Sequence, residues 1–183
     1  MQVRPTPLDL LAALDFAADK HRHQRRKDRE SSPYVNHPIQ VAEVLARIGK
    51  VSARDVLVAA ILHDTLEDTA TTKRELVARF GARVACLVAE VTDDKSLPKA
   101  VRKRLQVEHA PALSRAAKLI KLGDKICNVR DVAESPPAGW SRARRIAYLR
   151  WSREVVAGCR GTGTALEREF DRVLRHAARL CLR

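Results

Sequence analysis

Apolar residues recur at helical spacing along almost the whole chain. Leu8, Leu11, Ala12, Phe16 and Ala18 predict a first helix from about Pro7 to His21. His23 to Val35 is polar and charged, with Ser31, Ser32 and Pro33, and reads as a loop. Asn36 stands as an N-cap with Pro38 in the first turn, ahead of Ile39, Val41, Ala42, Leu45 and Ile48, and Gly49 ends this second helix. Ser52 is placed to cap a third, running from Val56 into His63; apolar almost all round, it should be the central buried helix. Thr71 or Thr72 opens the next, with Glu75 in capping-box relation to Thr72 and Gly81 as its stop. Val84 to Val91 continues helically, Lys99 to His109 is basic and amphipathic, and Ala116 to Val132 is long and apolar-periodic. Pro136, Pro137 and Gly139 break the chain before two last helices, about Ser141 to Cys159 and Thr164 to Leu180. Gly161-Thr162-Gly163 between them lacks the strand and third glycine of a dinucleotide fingerprint, so it reads as a turn. No run alternates with period two, and the expectation is an all-α protein of about eight to ten helices.

Length narrows this to one domain over residues 1–183, with a core from about 8 to 180. A chain of 183 residues can bury roughly 70% of its unfolded surface and needs no disulfide framework. With 45% hydrophobic and 31% charged residues, and only 7 Gly and 8 Pro, disordered and collagen-like classes are excluded. No run approaches the roughly 20 apolar residues of a membrane span. Met1 to Asp9 has no apolar segment and carries Pro5 and Pro7, so it does not read as a secretory signal. Cys86, Cys127, Cys159 and Cys181 form no CxxC pair, which suggests reduced, mostly buried thiols in a cytoplasmic protein.

Charge adds one hint. Thirty-five Lys and Arg against 22 Asp and Glu give +13, which favours an anionic partner: nucleic acid, a membrane surface or a polyphosphate. An Arg-rich codon bias gives the same balance without function. An aromatic content of 4% argues against a base-stacking platform for single strands.

Chemistry concentrates in His63-Asp64-Thr65-Leu66-Glu67-Asp68, at the end of the most apolar helix. If helical geometry persists, Glu67 shares a face with His63 and Asp68 with Asp64. One imidazole and three carboxylates then crowd about one turn, and a divalent cation is the natural neutraliser. Taken alone, the dyad reads more readily as a helix end with a salt-bridged Asp. Two other segments shift the balance. Asn36-His37-Pro38 puts a histidine in the first turn of a helix. Asp124 is a lone acid in the apolar run Leu119 to Lys125, which costs several kcal/mol unless a cation or donors meet it. Asn128 lies four residues on, on the same face. His37, His63, Asp64 and Asp124 together offer two nitrogens and two carboxylates. Such a set suits Mn²⁺, with Fe or Zn as further options, and a six-coordinate ion would keep positions for water and substrate.

The order His37, His63-Asp64, Asp124 resembles the signature of the HD-domain metal-dependent phosphohydrolases. His21-Arg22-His23-Gln24-Arg25-Arg26-Lys27-Asp28, Pro33-Tyr34-Val35-Asn36-His37-Pro38, His63 to Asp68 and Leu122 to Asp131 are similar to the guanosine tetraphosphate hydrolase domain of the Rel/Spo alarmone enzymes. Val91 to Lys99 and Gly139-Trp140-Ser141 resemble the stand-alone, metazoan-type small alarmone hydrolases. The resemblance runs from about Leu8 to Leu180. It implies a single all-α HD domain that binds one Mn²⁺ and removes pyrophosphate from the ribose 3′ position of (p)ppGpp, leaving GDP or GTP. It implies His37, His63, Asp64 and Asp124 as metal ligands, and Glu67 and Asp68 as the groups that orient or deprotonate the attacking water. Arg26 and Lys27 would hold the nucleotide, Asn128 would meet the ribose or the ligands, and Lys99, Arg144 and Tyr148 would meet phosphate or ribose. Such a protein would act on a small nucleotide, without membrane or nucleic-acid partners. The chain has no length for a synthetase domain, so it would only degrade the alarmone.

Two other readings stay open. One is an HD phosphohydrolase acting on another nucleotide, such as the 2′-phosphate of NADPH. The other is a basic helical nucleic-acid-binding or regulatory protein with a vestigial HD site. Arg142, Arg144, Arg145, Arg150 and Arg153 form a basic helix face that reads either as solvated surface or as functional, with Arg144 the foremost candidate. His21, His23, His109 and His176 read as solvated or capping residues, and Trp140 and Trp151 as packing.

Overall fold

The computed structural model describes residues 3–182; Met1, Gln2 and Arg183, part of the expected 1–183 domain, lie outside the described residues. Ten α-helices follow one another among them: α1 (Pro7–Lys20), α2 (Asn36–Arg47), α3 (Arg54–Leu62), α4 (Thr65–Asp68), α5 (Lys73–Phe80), α6 (Ala82–Val91), α7 (Lys99–His109), α8 (Arg115–Glu134), α9 (Arg142–Ala157) and α10 (Thr164–Leu182). A 3₁₀ turn at Ala110–Ala112 joins α7 to the chain leading into α8. The only β pairing among the described residues is an isolated bridge between Arg25 and Pro33. No described helix is long and apolar enough to cross a membrane.

Local chemistry sets most helix ends. Thr6 and Asp9 form a reciprocal capping box on α1, with Pro7 at the first position. Ser114 and Ser141 cap α8 and α9 by accepting the amides of Ala117 and Arg144, each at 3.2 Å. Thr72 caps α5 in the same way, but the Glu75 carboxylate leaves the capping box for Lys20, 2.8 Å away. Gly81, at φ +92°, supplies the left-handed kink between α5 and α6 that a side chain would resist. Two expected caps are absent. α3 starts at Arg54 with Ala53 as its cap rather than Ser52, and Asn36 is already the first helical residue of α2, with no side-chain cap ahead of it.

Helices α3 and α8 form the centre. All seven residues from Val56 to Leu62 are buried, as an all-round apolar helix requires. Helix α8 packs against α2, α3, α6, α9 and α10. Phe170, Leu45, Leu62, Ile120 and Leu122 are fully enclosed where these elements meet. Each such side chain contributes about 1.5–3 kcal/mol by leaving water. Helices α2 and α8 come especially close at Gly123. A Cβ built there would lie 3.1 Å from the Leu45 side chain and 3.2 Å from Val41. This close contact places the N-terminus of α2 beside the middle of α8.

Candidate metal centre and substrate cavity

Three elements deliver the predicted cluster: the first turn of α2, the break between α3 and α4, and the middle of α8. Consecutive residues on a helix diverge by about 100°, so His63 and Asp64 could not face one point within a regular helix. The helix stops at Leu62, and Asp64 sits at φ −96°, ψ −3° before α4 restarts. The interruption swings both side chains toward the same centre. His63 Nε2 lies 3.1 Å from Asp64 Oδ2, and His37 Nε2 lies 3.9 Å from it. The Asp124 Oδ1 atom is 3.2 Å from His37 Nε2 and 3.9 Å from His63 Nε2. One ligand atom each from His37, His63 and Asp124 lies within 4.8 Å of the others, and all three residues are buried.

The surroundings prepare these atoms for a cation. His63 Nδ1–H donates to the Ala60 carbonyl at 2.8 Å, which turns Nε2 toward the cluster, where it has no hydrogen-bond partner. Burial alone would lower the His63 pKa, but the charges of Asp64 and Asp124 overcome it and raise it to about 9. Burial pushes the other way on the acids. The His63 charge holds Asp64 below the usual carboxylate range, and Lys125 and His37 hold Asp124 well below it. Imidazole nitrogens beside ionised carboxylates suit a divalent first-row ion.

Several of the supporting side chains were not singled out from the sequence. Lys125, almost fully buried, donates to Asp124 Oδ2 at 2.8 Å while its ammonium lies 4.5 Å from the Trp151 ring centroid. Asn128 donates to Asp124 Oδ1, joining the predicted residue to the cluster. Tyr34 donates its phenol to Asp64 Oδ2 at 2.6 Å, and burial with the Asp64 charge pushes its pKa far above the ordinary value. Gln24 donates to Asp68 Oδ2 at 2.9 Å, and Lys95 pairs with Asp68 Oδ1. Glu67 is held by different partners. It accepts the Asp93 amide at 3.1 Å and lies 3.4 Å from Arg102. Burial, then the nearby acids, raise its pKa against that hydrogen bond. Tyr34 and Lys125 each carried a faint signal: an aromatic in the polar stretch before His37, and a lysine inside an apolar helix.

A cavity of about 930 Å³ opens beside His37 and Asp68; Arg26, Lys27, Asn128 and Tyr148 also line it. Arg26 is held by Asp131, with its guanidinium 5.5 Å from the Tyr34 ring. Lys27 is exposed at the rim, and its carbonyl accepts the Ala138 amide at 2.7 Å. Lys99 and Arg144 lie in a second cavity of about 260 Å³, which shares Trp140 and Tyr148 with the first. Arg144 stacks on Trp140 at 4.5 Å, so this tryptophan faces both cavities instead of only filling space. Burial and mutual repulsion lower the pKa of Lys99 and Lys103 there, as expected where cations gather without enough acids. His23, His109 and His176 are exposed as expected, whereas His21 is buried.

Comparison with known proteins adds three findings. The model of the HD domain family matches residues 13–150. The guanosine-3′,5′-bis(diphosphate) 3′-pyrophosphohydrolases MESH1 of Homo sapiens and Danio rerio are 56% and 53% identical, over 86% and 90% of this chain and 88% and 91% of their own. The solved structure of a metazoan SpoT orthologue that hydrolyses ppGpp superposes with a TM-score of 0.90 at 46% identity, over 94% of this chain and 97% of that one.

Proposed function

The chain belongs to the HD domain family, and from that footing we propose that it is a Mn²⁺-dependent guanosine 3′,5′-bis(diphosphate) 3′-pyrophosphohydrolase. It cleaves (p)ppGpp to GDP or GTP and pyrophosphate. The observation that carries this reading is the 930 Å³ cavity, whose wall joins His37 of the buried cluster to Arg26, Lys27, Asn128 and Tyr148. The high identity to two named 3′-pyrophosphohydrolases supports the substrate.

In this reading His37, His63, Asp64 and Asp124 hold the ion. When bound, it supplies Lewis acidity to the phosphoryl group and lowers the pKa of water. The protein does the rest. Lys125 and Asn128 fix the two oxygens of Asp124, and Tyr34 fixes Asp64. Asp68 and Glu67 orient the water, and one of them takes its proton as it attacks the 3′-phosphorus; the bond to the ribose 3′ oxygen breaks, that oxygen takes up a proton to become the 3′-hydroxyl, and the attacked phosphorus departs in pyrophosphate. Arg26 and Lys27 hold the nucleotide, Asn128 meets the ribose, and Lys99, Arg144 and Tyr148 receive phosphate at the join of the two cavities. Cations held where phosphate charge accumulates stabilise it better than water does. Four free cysteines fit the reducing cytoplasm as the compartment.

Incubating metal-stripped protein with ppGpp, with and without Mn²⁺, tests the reading. Mn²⁺-dependent release of GDP and pyrophosphate is expected. Absence of cleavage in every divalent ion tried would refute it, and orthophosphate release from NADPH alone would move it to the 2′-phosphate substrate.

A further inference from the structure

His21 is an unusual residue to bury. It is the C-cap of α1 and only 2% exposed, yet its Nε2 finds no hydrogen-bond partner. An unsatisfied buried nitrogen costs about 1–3 kcal/mol, and an apolar ring would fill the space without that cost. The other nitrogen has a defined contact. His21 Nδ1 lies 2.6 Å from Gln24 Oε1, and Gln24 Nε2 lies 2.9 Å from Asp68 Oδ2. The polarity of this chain is fixed by chemistry. An ionised carboxylate can only accept, so the Gln24 amide must present its NH₂ to Asp68 and its oxygen to His21. His21 must then carry its proton on Nδ1.

We infer that His21 and Gln24 form a relay that positions Asp68, with the His21 Nδ1–H anchoring the far end of the Gln24 amide whose NH₂ holds the carboxylate. The inference rests on the reading of Asp68 as a carboxylate that orients or deprotonates the attacking water. Without the His21 donor, the Gln24 amide keeps only one of its two anchors and no longer holds the Asp68 carboxylate in a single position. The relay is held firmly at both ends. The Gln24 backbone N–H donates to the His21 carbonyl at 2.9 Å, and the Gln24 backbone carbonyl accepts the Tyr34 backbone N–H at 3.1 Å. The His21 ring packs on Tyr34 at 4.9 Å between centroids. Tyr34 in turn bonds Asp64, so one aromatic side chain braces both the relay and a predicted ligand. The charged and titratable groups that face Asp68 are Lys95 from the α6–α7 connection, the Tyr34 phenol from the α1–α2 loop, and Glu67 on its own helix.

The Mn²⁺-loaded protein tests this with His21→Phe, Gln24→Leu, Gln24→Glu and Asp68→Asn, alone and combined. Each of the first three should lower kcat for ppGpp by about 10- to 100-fold, the range that a small misplacement of a reacting group produces. KM, metal content and melting temperature should move little. Gln24→Glu sets a like charge against Asp68, so the acid limb of its kcat profile should move to higher pH, with partial recovery in alkali. On the Asp68→Asn background, His21→Phe and Gln24→Leu should cost nothing further. Additive losses, or an unmoved acid limb in Gln24→Glu, would overturn the relay and leave Asp68 in place. Full kcat in Asp68→Asn would instead remove Asp68 from the reaction. Nitrogen NMR of the histidine rings gives a readout free of activity. Wild type should show His21 protonated on Nδ1, and an Nε2–H tautomer would overturn the inference.

Discussion

His37 Nε2 stands 3.2 Å from Asp124 Oδ1 although 87 residues separate them in the chain. The contact depends on the close packing of α2 on α8 at Gly123, next to Asp124. The geometry of the cluster is thus set by core packing, which tolerates little displacement. The α1–α2 loop, with α7, α8 and α9, supplies the residues that would touch a substrate.

Asp124→Asn should lose the ion and keep the helices. The amide preserves shape but removes the charge that a divalent ion requires. It also strips Lys125 of its buried partner, so a destabilisation of about 3–5 kcal/mol is expected. Elemental analysis after dialysis and circular dichroism check both effects. A variant that retains one equivalent of metal would remove Asp124 from the ligand set.

Glu67→Gln and Asp68→Asn should each lower kcat by about 10²–10⁴-fold with metal content unchanged, the usual contribution of a positioned acid–base group. The two carboxylates are held by different partners, Asp93 and Arg102 for Glu67, Gln24 and Lys95 for Asp68. The double variant should therefore be less active than either single one. Single-turnover kinetics would show whether one residue alone carries the proton transfer. Metal loss in Glu67→Gln would recast it as a ligand.

Arg26→Ala should raise KM for ppGpp more than it lowers kcat. The side chain lines the cavity and is anchored by Asp131, so it is preset to meet a non-reacting part of the nucleotide. Steady-state kinetics separate the two constants, and a pure kcat effect would show that the loop does not clamp the nucleotide.

Acid should loosen the junction between α8 and α10. Glu169 accepts hydrogen bonds from Arg172 and Arg130, and these hold its pKa at about 2 against an unfolded value of 4.5. A depressed carboxyl stabilises fully above its unfolded pKa, so this contribution is present above about pH 4.5 and is lost as pH falls toward 2. Glu169→Gln should flatten the fall in stability over that window, read from urea midpoints at successive pH values. Identical slopes in the two proteins would disprove the linkage.

The helices were legible because their signals are local. Lys99 to His109 was bounded correctly by its amphipathic period, and Ser141 and Thr72 mark starts that the structure uses as caps. Ser52 misled because a capping residue also sits in turns, and only the backbone decides which amides it can reach. His37, His63, Asp64 and Asp124 were readable as an ordered motif, but their convergence was not, since it comes from the pairing of α2, α3 and α8. The end of the apolar helix at His63 was legible, but the turn that brings His63 and Asp64 to one centre was not, because it depends on the backbone between α3 and α4. Partners such as Gln24 and Asp68 lie 44 residues apart, beyond any periodic signal. His21 does cap α1, one of its two readings, but its burial against Tyr34 leaves no trace in local sequence.

Lys125 has a consequence for the order of events in the cell. A zinc finger cannot fold until its ion arrives. Here an internal ammonium, seated against Trp151, already balances Asp124. The newly made chain can therefore reach its final shape first and acquire its ion afterwards. Maturation then becomes a matter of which ion the surroundings supply, and stripping and reloading should be fully reversible. Heating scans of stripped and reloaded protein check this: both should unfold cooperatively, separated only by the shift that ligand mass action gives.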